Sequence, residues 1–401
     1  MLDSRYEGRN NKIERIRRIL STPTWEILNM RGRVLNLLAG FALTTIATSA
    51  VFAIEPETVG KTTMGEPTTK WFMAKSAFGA GYIFDGESGE MMGLLSLTTF
   101  TPAVQPNLKR GEIYAAETYY SRLYHGERSD VLTIYDLATL SPGFEIEIPK
   151  KVAALSFRQY IALLDDDRHL AIFNMTPAQS VSIVDVRSRD FVGEISTPGC
   201  ALILPVADRA FLMICGDGTL QLVGLDRNGG ESKRIRSDAF FTIDEDPVFD
   251  KPVPTADGWQ LVTYEGKIFE VTVANDSIQI SEPWSVLSEE DSDEKWRVGG
   301  GQLMDVHVGM DLLLMMMHQG EVDTHEEPGT EIWIFNRETQ RRIARIETGE
   351  PITNILVSQD EDPILIVTTE AGPVHIYDVK TTRKLRTIDN AGTFPSLLQR
   401  F

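Results

Sequence analysis

Few side chains in this 401-residue sequence combine reactive type with close spacing. Its only cysteines are Cys200 and Cys215, fifteen positions apart in CALILPVADRAFLMIC. Of the six histidines, only His318 and His325 lie near each other, in HQGEVDTHEEPG with Glu321, Asp323 and Glu326. That spacing fits no zinc pattern, and a solvated loop is preferred over a cation site. The acidic run SEEDSDEK at 288–295 lacks the glycine and terminal glutamate of an EF-hand calcium loop, so it reads as a solvated surface turn. There is no G-x-S-x-G, no H-E-x-x-H, no P-loop and no dinucleotide fingerprint. No catalytic set and no metal set stands out.

The cysteine stretch has the pattern of a β-hairpin. With a turn centred on Ala207-Asp208, Val206 faces Arg209, Ile203 faces Leu212 and Cys200 faces Cys215. Opposed residues of an antiparallel pair sit roughly 4.5–5.5 Å apart, within reach of a disulfide. The alternative is two reduced core cysteines, and an oxidising compartment favours the bond. Two thiols alone are too few for a metal.

The compartment is signalled near the other end. MRGRVLNLLAGFALTTIATSAVFA starts at Met30 with a basic region, Arg31 and Arg33, followed by a mostly apolar, uncharged run from Val34 to Val51. Val51 and Ala53 satisfy the small-residue rule for cleavage before Ile54, which is the pattern of a secretory signal peptide. An uncleaved anchor helix is the alternative, though the run is near the minimum for a span. The first 29 residues are too long and mixed for a normal leading region, so Met30 reads as the true start. The expected division is therefore a signal region over 1–53 and one folded domain over 54–401. Removing the eight basic and four acidic residues of 1–53 leaves 31 against 54, a net charge of −23 with histidine neutral. Such a balance argues against nucleic-acid binding and for solubility.

A repeat supplies the architecture. Strands of apolar residues ending in Asp or Asn, a short polar turn and a second strand recur seven times. The copies start at Ala80, Val131, Val181, Leu220, Lys267, Glu331 and Pro373, at spacings of 51, 50, 39, 47, 64 and 42 residues. A period near 40–50 with short, even strands predicts an all-β, seven-bladed β-propeller of four-stranded blades. Each copy forms the outer hairpin of one blade.

TYYSRLYHGERSDVLTIYDLATL at 118–140 resembles the large subunit of the quinoprotein amine dehydrogenases, the methylamine and aromatic amine dehydrogenase family. So do GCALILPVADRAFLMICGDGTL, WSVLSEEDSDEKWRVGGGQL and HQGEVDTHEEPGTEIWIFNRETQRRIARI. The resemblance implies a periplasmic heterotetramer of two large and two small subunits. In it the small subunit carries tryptophan tryptophylquinone, and the large subunit is a seven-bladed propeller binding no cofactor. The pair oxidises a primary amine to aldehyde and ammonia and passes electrons to a blue-copper protein of the amicyanin or azurin kind. The family also implies a disulfide between Cys200 and Cys215, no catalytic residue in this chain, and a phenylalanine lining the substrate channel, which matches Phe100 in SLTTFTPAVQP. The six tryptophans (Trp25, Trp71, Trp259, Trp284, Trp296 and Trp333) read as packing residues rather than cofactor precursors. EIWIFNRETQRRIARI and HQGEVDTH look like the aromatic-amine enzymes, whereas the cysteine spacing and ILVSQDEDPIL look like the methylamine enzymes. The segment around Phe100 matches neither, and the substrate stays open. Two rivals are a non-catalytic secreted propeller that binds a protein or glycan, and a propeller enzyme with a metal in its central channel.

The expected mature N-terminus is Ile54. Edman sequencing of the secreted protein checks this, and a chain retaining residues before Met30 would exclude it.

Overall fold

All seven repeat copies fold as antiparallel hairpins, and in six of them the terminal Asp or Asn builds the turn. Its carboxylate or amide oxygen accepts a backbone N–H two or three residues on: Asp85 from Glu87, Asp136 from Thr139, Asp185 from Arg187, Asp226 from Asn228, Asn336 from Thr339 and Asp378 from Thr381. Short polar side chains favour turns for this reason. A residue with positive φ follows each (Gly89, Leu140, Arg189, Gly229, Gln340, Thr382), and the strand register shifts just before each turn. The remaining copy turns at Asn275-Asp276, with both residues at positive φ, the requirement of a tight two-residue hairpin.

The computed structural model describes residues 63–150, 152–153 and 155–401. The expected signal segment lies outside the described residues. Among those described, no helix is long and apolar enough to cross a membrane.

The strands form antiparallel meanders. The first sheet joins Pro395–Arg400 to Trp71–Ser76, Ala80–Asp85 and Met91–Ser96. The next holds Val104–Asn107, Glu112–Arg122, His125–Asp136 and Pro142–Ile148. A third runs from Ile161–Leu163 to Asp190–Ser196, and a fourth from Cys200–Val206 to Glu231–Arg236. A five-stranded sheet starts at Val253–Pro254. The last, eight-stranded sheet extends from Trp296–Val298 to Lys384–Ile388. This sheet is not interrupted where two blades were expected. The 17-residue strand Arg341–Val357 pairs with Gly329–Asn336 along its first part and with Ile364–Thr369 along its end.

Middle strands are buried on both sides, as in Ser180–Asp185 and Ile364–Thr369, because neighbouring sheets pack on either face. Segments at or just before the first strands, far apart in the chain, meet at the centre. Gln302 Nε2 donates to the Leu398 carbonyl at 3.0 Å, and Gln159 Nε2 to the Pro252 carbonyl at 2.7 Å. This radial packing of meandering sheets is a β-propeller.

Because strand direction alternates, the loops separate onto two faces. One face carries the connections between sheets and the loops between second and third strands. The exposed Phe78, Leu123, Tyr124, Leu155, Met175, Ile243, Val322 and Phe394 all lie on it. The opposite face, with loops such as 164–168, 206–210 and 358–363, has only Leu108 and Val308 among the exposed large apolar residues of its loops.

Cys200 and Cys215 are bonded to each other, and both are buried. The expected register holds at the cysteines and fails nearer the turn. Val206 faces Ala210 and Leu204 faces Leu212, one residue away from expectation. A bulge with Leu202 at φ 68° absorbs the difference, so the turn holds three residues, 207–209. The bond closes a loop of fifteen positions, worth about 3 kcal/mol in the chain-entropy model. Cys215→Ala should lower unfolding free energy by about that amount, measurable by urea titration beside the parent protein.

Candidate functional site

Phe100 lies in the link 97–103 between the first two sheets, on the apolar-rich face. It is half-buried and edge-on to Tyr120 and Tyr124, with ring centroids 5.4 and 6.1 Å away. Both tyrosines belong to the hairpin Glu112–Arg122/His125–Asp136, the longest of the described hairpins in the second sheet. Its flanking strands stop early. Val104–Asn107 reaches Ala115, and Pro142–Ile148 reaches Asp130. The rows from Tyr119↔Ser129 to Arg122↔His125 therefore project as a two-stranded tongue. Its tip is Leu123, 83% exposed with φ 60°, and Tyr124, 69% exposed. A two-stranded ribbon has little stability alone, and the Phe100 ring packs against it at Tyr120 and Tyr124.

The link is fixed by one buried carboxylate. Glu117 Oε1 accepts the Thr98 backbone N–H at 3.0 Å and the Thr101 hydroxyl at 3.4 Å. Its Oε2 accepts the Tyr135 hydroxyl at 2.8 Å and the Tyr119 hydroxyl at 3.2 Å. Burial and this carboxylate push the Tyr135 hydroxyl far above the usual tyrosine range, so it stays a donor. Four donors satisfy a charge that is costly to bury alone. At the tongue's root, Arg128 makes a two-pronged ion pair with buried Asp130, both contacts at 2.7 Å.

The other sequence candidates have structural partners. His318 Nε2 lies 2.9 Å from the Thr324 hydroxyl, and burial lowers its pKa. His325 stacks on Tyr264 at 4.1 Å. Among the described residues no group of three or more His, Cys, Asp or Glu side chains is placed to hold a metal ion. The 288–295 run is solvent-exposed as expected, except at Asp291, and it folds as a helical turn. Glu289–Asp293 forms one helical turn whose cap is a reciprocal Ser288/Asp291 pair, and buried Asp291 also pairs with Arg342 at 2.9 Å. The cap satisfies free amides at the helix start, which is why Asp291 alone of this run turns inward.

The described tryptophans are packed. Trp296 and Trp333 are buried with ring centroids 5.1 Å apart. Their indole N–H groups donate to Glu294 and Glu331, and the Arg342 and Arg345 guanidiniums lie over the Trp333 ring. Trp259 donates to the Pro205 carbonyl. Sequence reasoning picked Phe100 but missed Tyr120, Tyr124 and Glu117. The signal for the tyrosines was SRLY between two strands too long for their sheet.

Residues 72–400 match the family model described as methylamine dehydrogenase heavy chain (MADH). The methylamine dehydrogenase heavy chain of Paracoccus versutus is 30% identical over 323 residues, 79% of this chain and 75% of that protein. That of Methylophilus methylotrophus is 29% identical over 321 residues, covering 79% and 78%. Among solved structures, a functionally unknown protein from Desulfotomaculum acetoxidans DSM 771 superposes with TM-score 0.55 at 10% identity, over 80% of this chain and 96% of that one. The β-propeller domain of Myceliophteria_thermophila Cps50 (Swd1) gives TM-score 0.51 at 11% identity, with coverage of 80% and 96%. These two likenesses concern the fold.

Glu117→Ala should free the 97–103 link. Losing four hydrogen bonds to a charged group should cost about 2–4 kcal/mol. Faster hydrogen exchange at the Thr98 amide, beside a lowered urea midpoint, checks it.

Proposed function

The chain belongs to the methylamine dehydrogenase heavy chain family, and we propose that it serves as the large subunit of a periplasmic amine dehydrogenase, holding a small quinone-bearing subunit on its apolar-rich face. The observation that carries this reading is the placement of Phe100 and eight exposed large apolar residues, the tongue's Leu123 and Tyr124 among them, on one face. A lone soluble subunit rarely gathers such residues on one side, and a partner that covers them explains the gathering.

Amine oxidation is the chemistry that tryptophan tryptophylquinone in the partner subunit would supply. This chain's part is positional. Phe100, braced by Tyr120 and by the Glu117-anchored link, would line the amine's path, exclude water there and limit the size of the substrate's side chain. The relatives' names favour methylamine as the amine. A blue-copper protein as electron acceptor and an assembly of two large with two small subunits follow the same family reading. The export signal at 30–53 and a disulfide on the same chain support a periplasmic location.

We also propose that the ring has seven blades. The eight-stranded sheet holds two of the seven repeat hairpins, Gly329–Asn336 with Arg341–Val357 and Val374–Asp378 with Lys384–Ile388. The register shift between Ile352 and Asn354 marks where one blade would pass into the next.

Phe100→Ala is expected to change the ratio of kcat/KM for methylamine against an arylethylamine roughly 10–200-fold, the range of an apolar pocket change. The complex should still assemble and the quinone still form. An unchanged ratio with a large fall in melting temperature would make Phe100 a packing residue only. Failure of the chain to copurify with any small subunit would remove the larger reading.

A further inference from the structure

A cavity of about 600 Å³ opens at the centre of the face opposite Phe100. Its walls come from first strands of separate sheets: Gln105, Ile161, Ile203, Pro254 and Gln399. It is therefore the axial channel of the propeller. Arg158 and Gln159 form its floor, and a narrower void beneath them reaches Gly301 and Ser396. Those two residues also line the mouth on the Phe100 face. The Gln302 and Gln159 hydrogen bonds and the 3.1 Å contact between the Ser156 and Ser396 hydroxyls cross the middle of the channel.

The floor carries more positive than negative charge. Arg400 pairs with Asp305, whose Oδ2 also accepts the Val357 N–H at 2.8 Å. Arg400 Nε is buried and has no partner. Arg158 forms no hydrogen bond or ion pair with any described residue. Burial lowers its pKa to about 10, while Asp305 opposes that shift and Arg400 adds to it, so the three groups sense one another. One carboxylate thus serves two guanidiniums. Arg158 and Arg400 are partly exposed to the cavity, and the planar fork of a guanidinium matches a carboxylate. The walls above mix apolar groups, Leu163, Pro205, Ala207 and the edge of Trp259, with the polar side chains of Gln105, Thr255 and Gln399. At the rim stand Asp165 and exposed Asp257.

We propose that this axial cavity binds a small organic monocarboxylate, its carboxylate held by Arg158 and Arg400 and its apolar body against Trp259 and the aliphatic wall. The rim aspartates repel multiply charged anions and set the preference for a single negative charge. The site lies on the other face from Phe100 and does not depend on the proposed amine chemistry.

Sodium benzoate is the probe, titrated calorimetrically into the full chain at low salt, with inorganic phosphate in parallel. One benzoate site is expected, at least tenfold weaker in Arg158→Gln. In Asp257→Asn, an exposed and fold-neutral position, benzoate should bind roughly threefold tighter, as removal of one solvated repelling charge allows. Phosphate should bind more weakly than benzoate. Absence of benzoate binding, or unchanged affinity in Arg158→Gln, overturns the site. Tighter phosphate than benzoate overturns the ligand class. Should Arg158→Gln fail to fold, the Asp257→Asn titration decides: unchanged benzoate affinity there also overturns the proposal.

Discussion

Closure of the ring is the interaction on which the rest of the molecule depends. Trp71–Ser76 pairs with Pro395–Arg400, from Phe72↔Arg400 to Ser76↔Pro395. The Ser76 hydroxyl adds a bond to the Thr393 carbonyl, 317 positions away. Joining ends so distant costs on the order of 5 kcal/mol in the length-dependent part of loop entropy. The return is large: no sheet edge is left on either side of the seam, and Phe72, Ala74, Leu397 and Leu398 become buried. The closing strand also delivers Arg400 to Asp305. Without the seam, the central cavity would lose one wall and half its positive charge.

The same closure gives the two faces different jobs. Turns between third and fourth strands, and several between first and second, are built tightly by Asp and Asn side chains, which leaves them short and polar. Links between sheets and loops between second and third strands are freer in length, and insertions gather there. The tongue, the 97–103 link and the 320–328 loop all belong to that set. A rigid ring with one plain face and one elaborated face is a scaffold on which loops carry the specificity.

The repeat was plain in the sequence because each copy carries its own turn chemistry. Asp85, Asp136, Asp185, Asp226, Asn336 and Asp378 mark the hairpins one by one, and the strands follow from apolar content. The pairing of Cys200 with Cys215 was also legible, although the bulge at Leu202 was not: a buried leucine at positive φ leaves no mark in residue type. Phe100 was found by resemblance alone. Glu117 was hidden because an acidic residue in a strand looks solvated until its four donors are seen, and those come from residues 98, 101, 119 and 135. Arg158 was hidden for a related reason. Its neighbours Asp305 and Arg400 lie far along the chain, and only the ring brings them together.

The uneven distribution of apolar side chains also bears on how copies of the chain meet in solution. A copy of the chain alone shows Leu123, Tyr124, Phe78 and Phe394 to other copies of itself. Two such faces would stick. The surplus of 58 acidic over 39 basic residues makes every encounter between like copies repulsive at long range. Acidic surface residues are effective solubilisers. The charge thus acts as a colloidal safeguard, holding copies of the chain apart although each carries an apolar face.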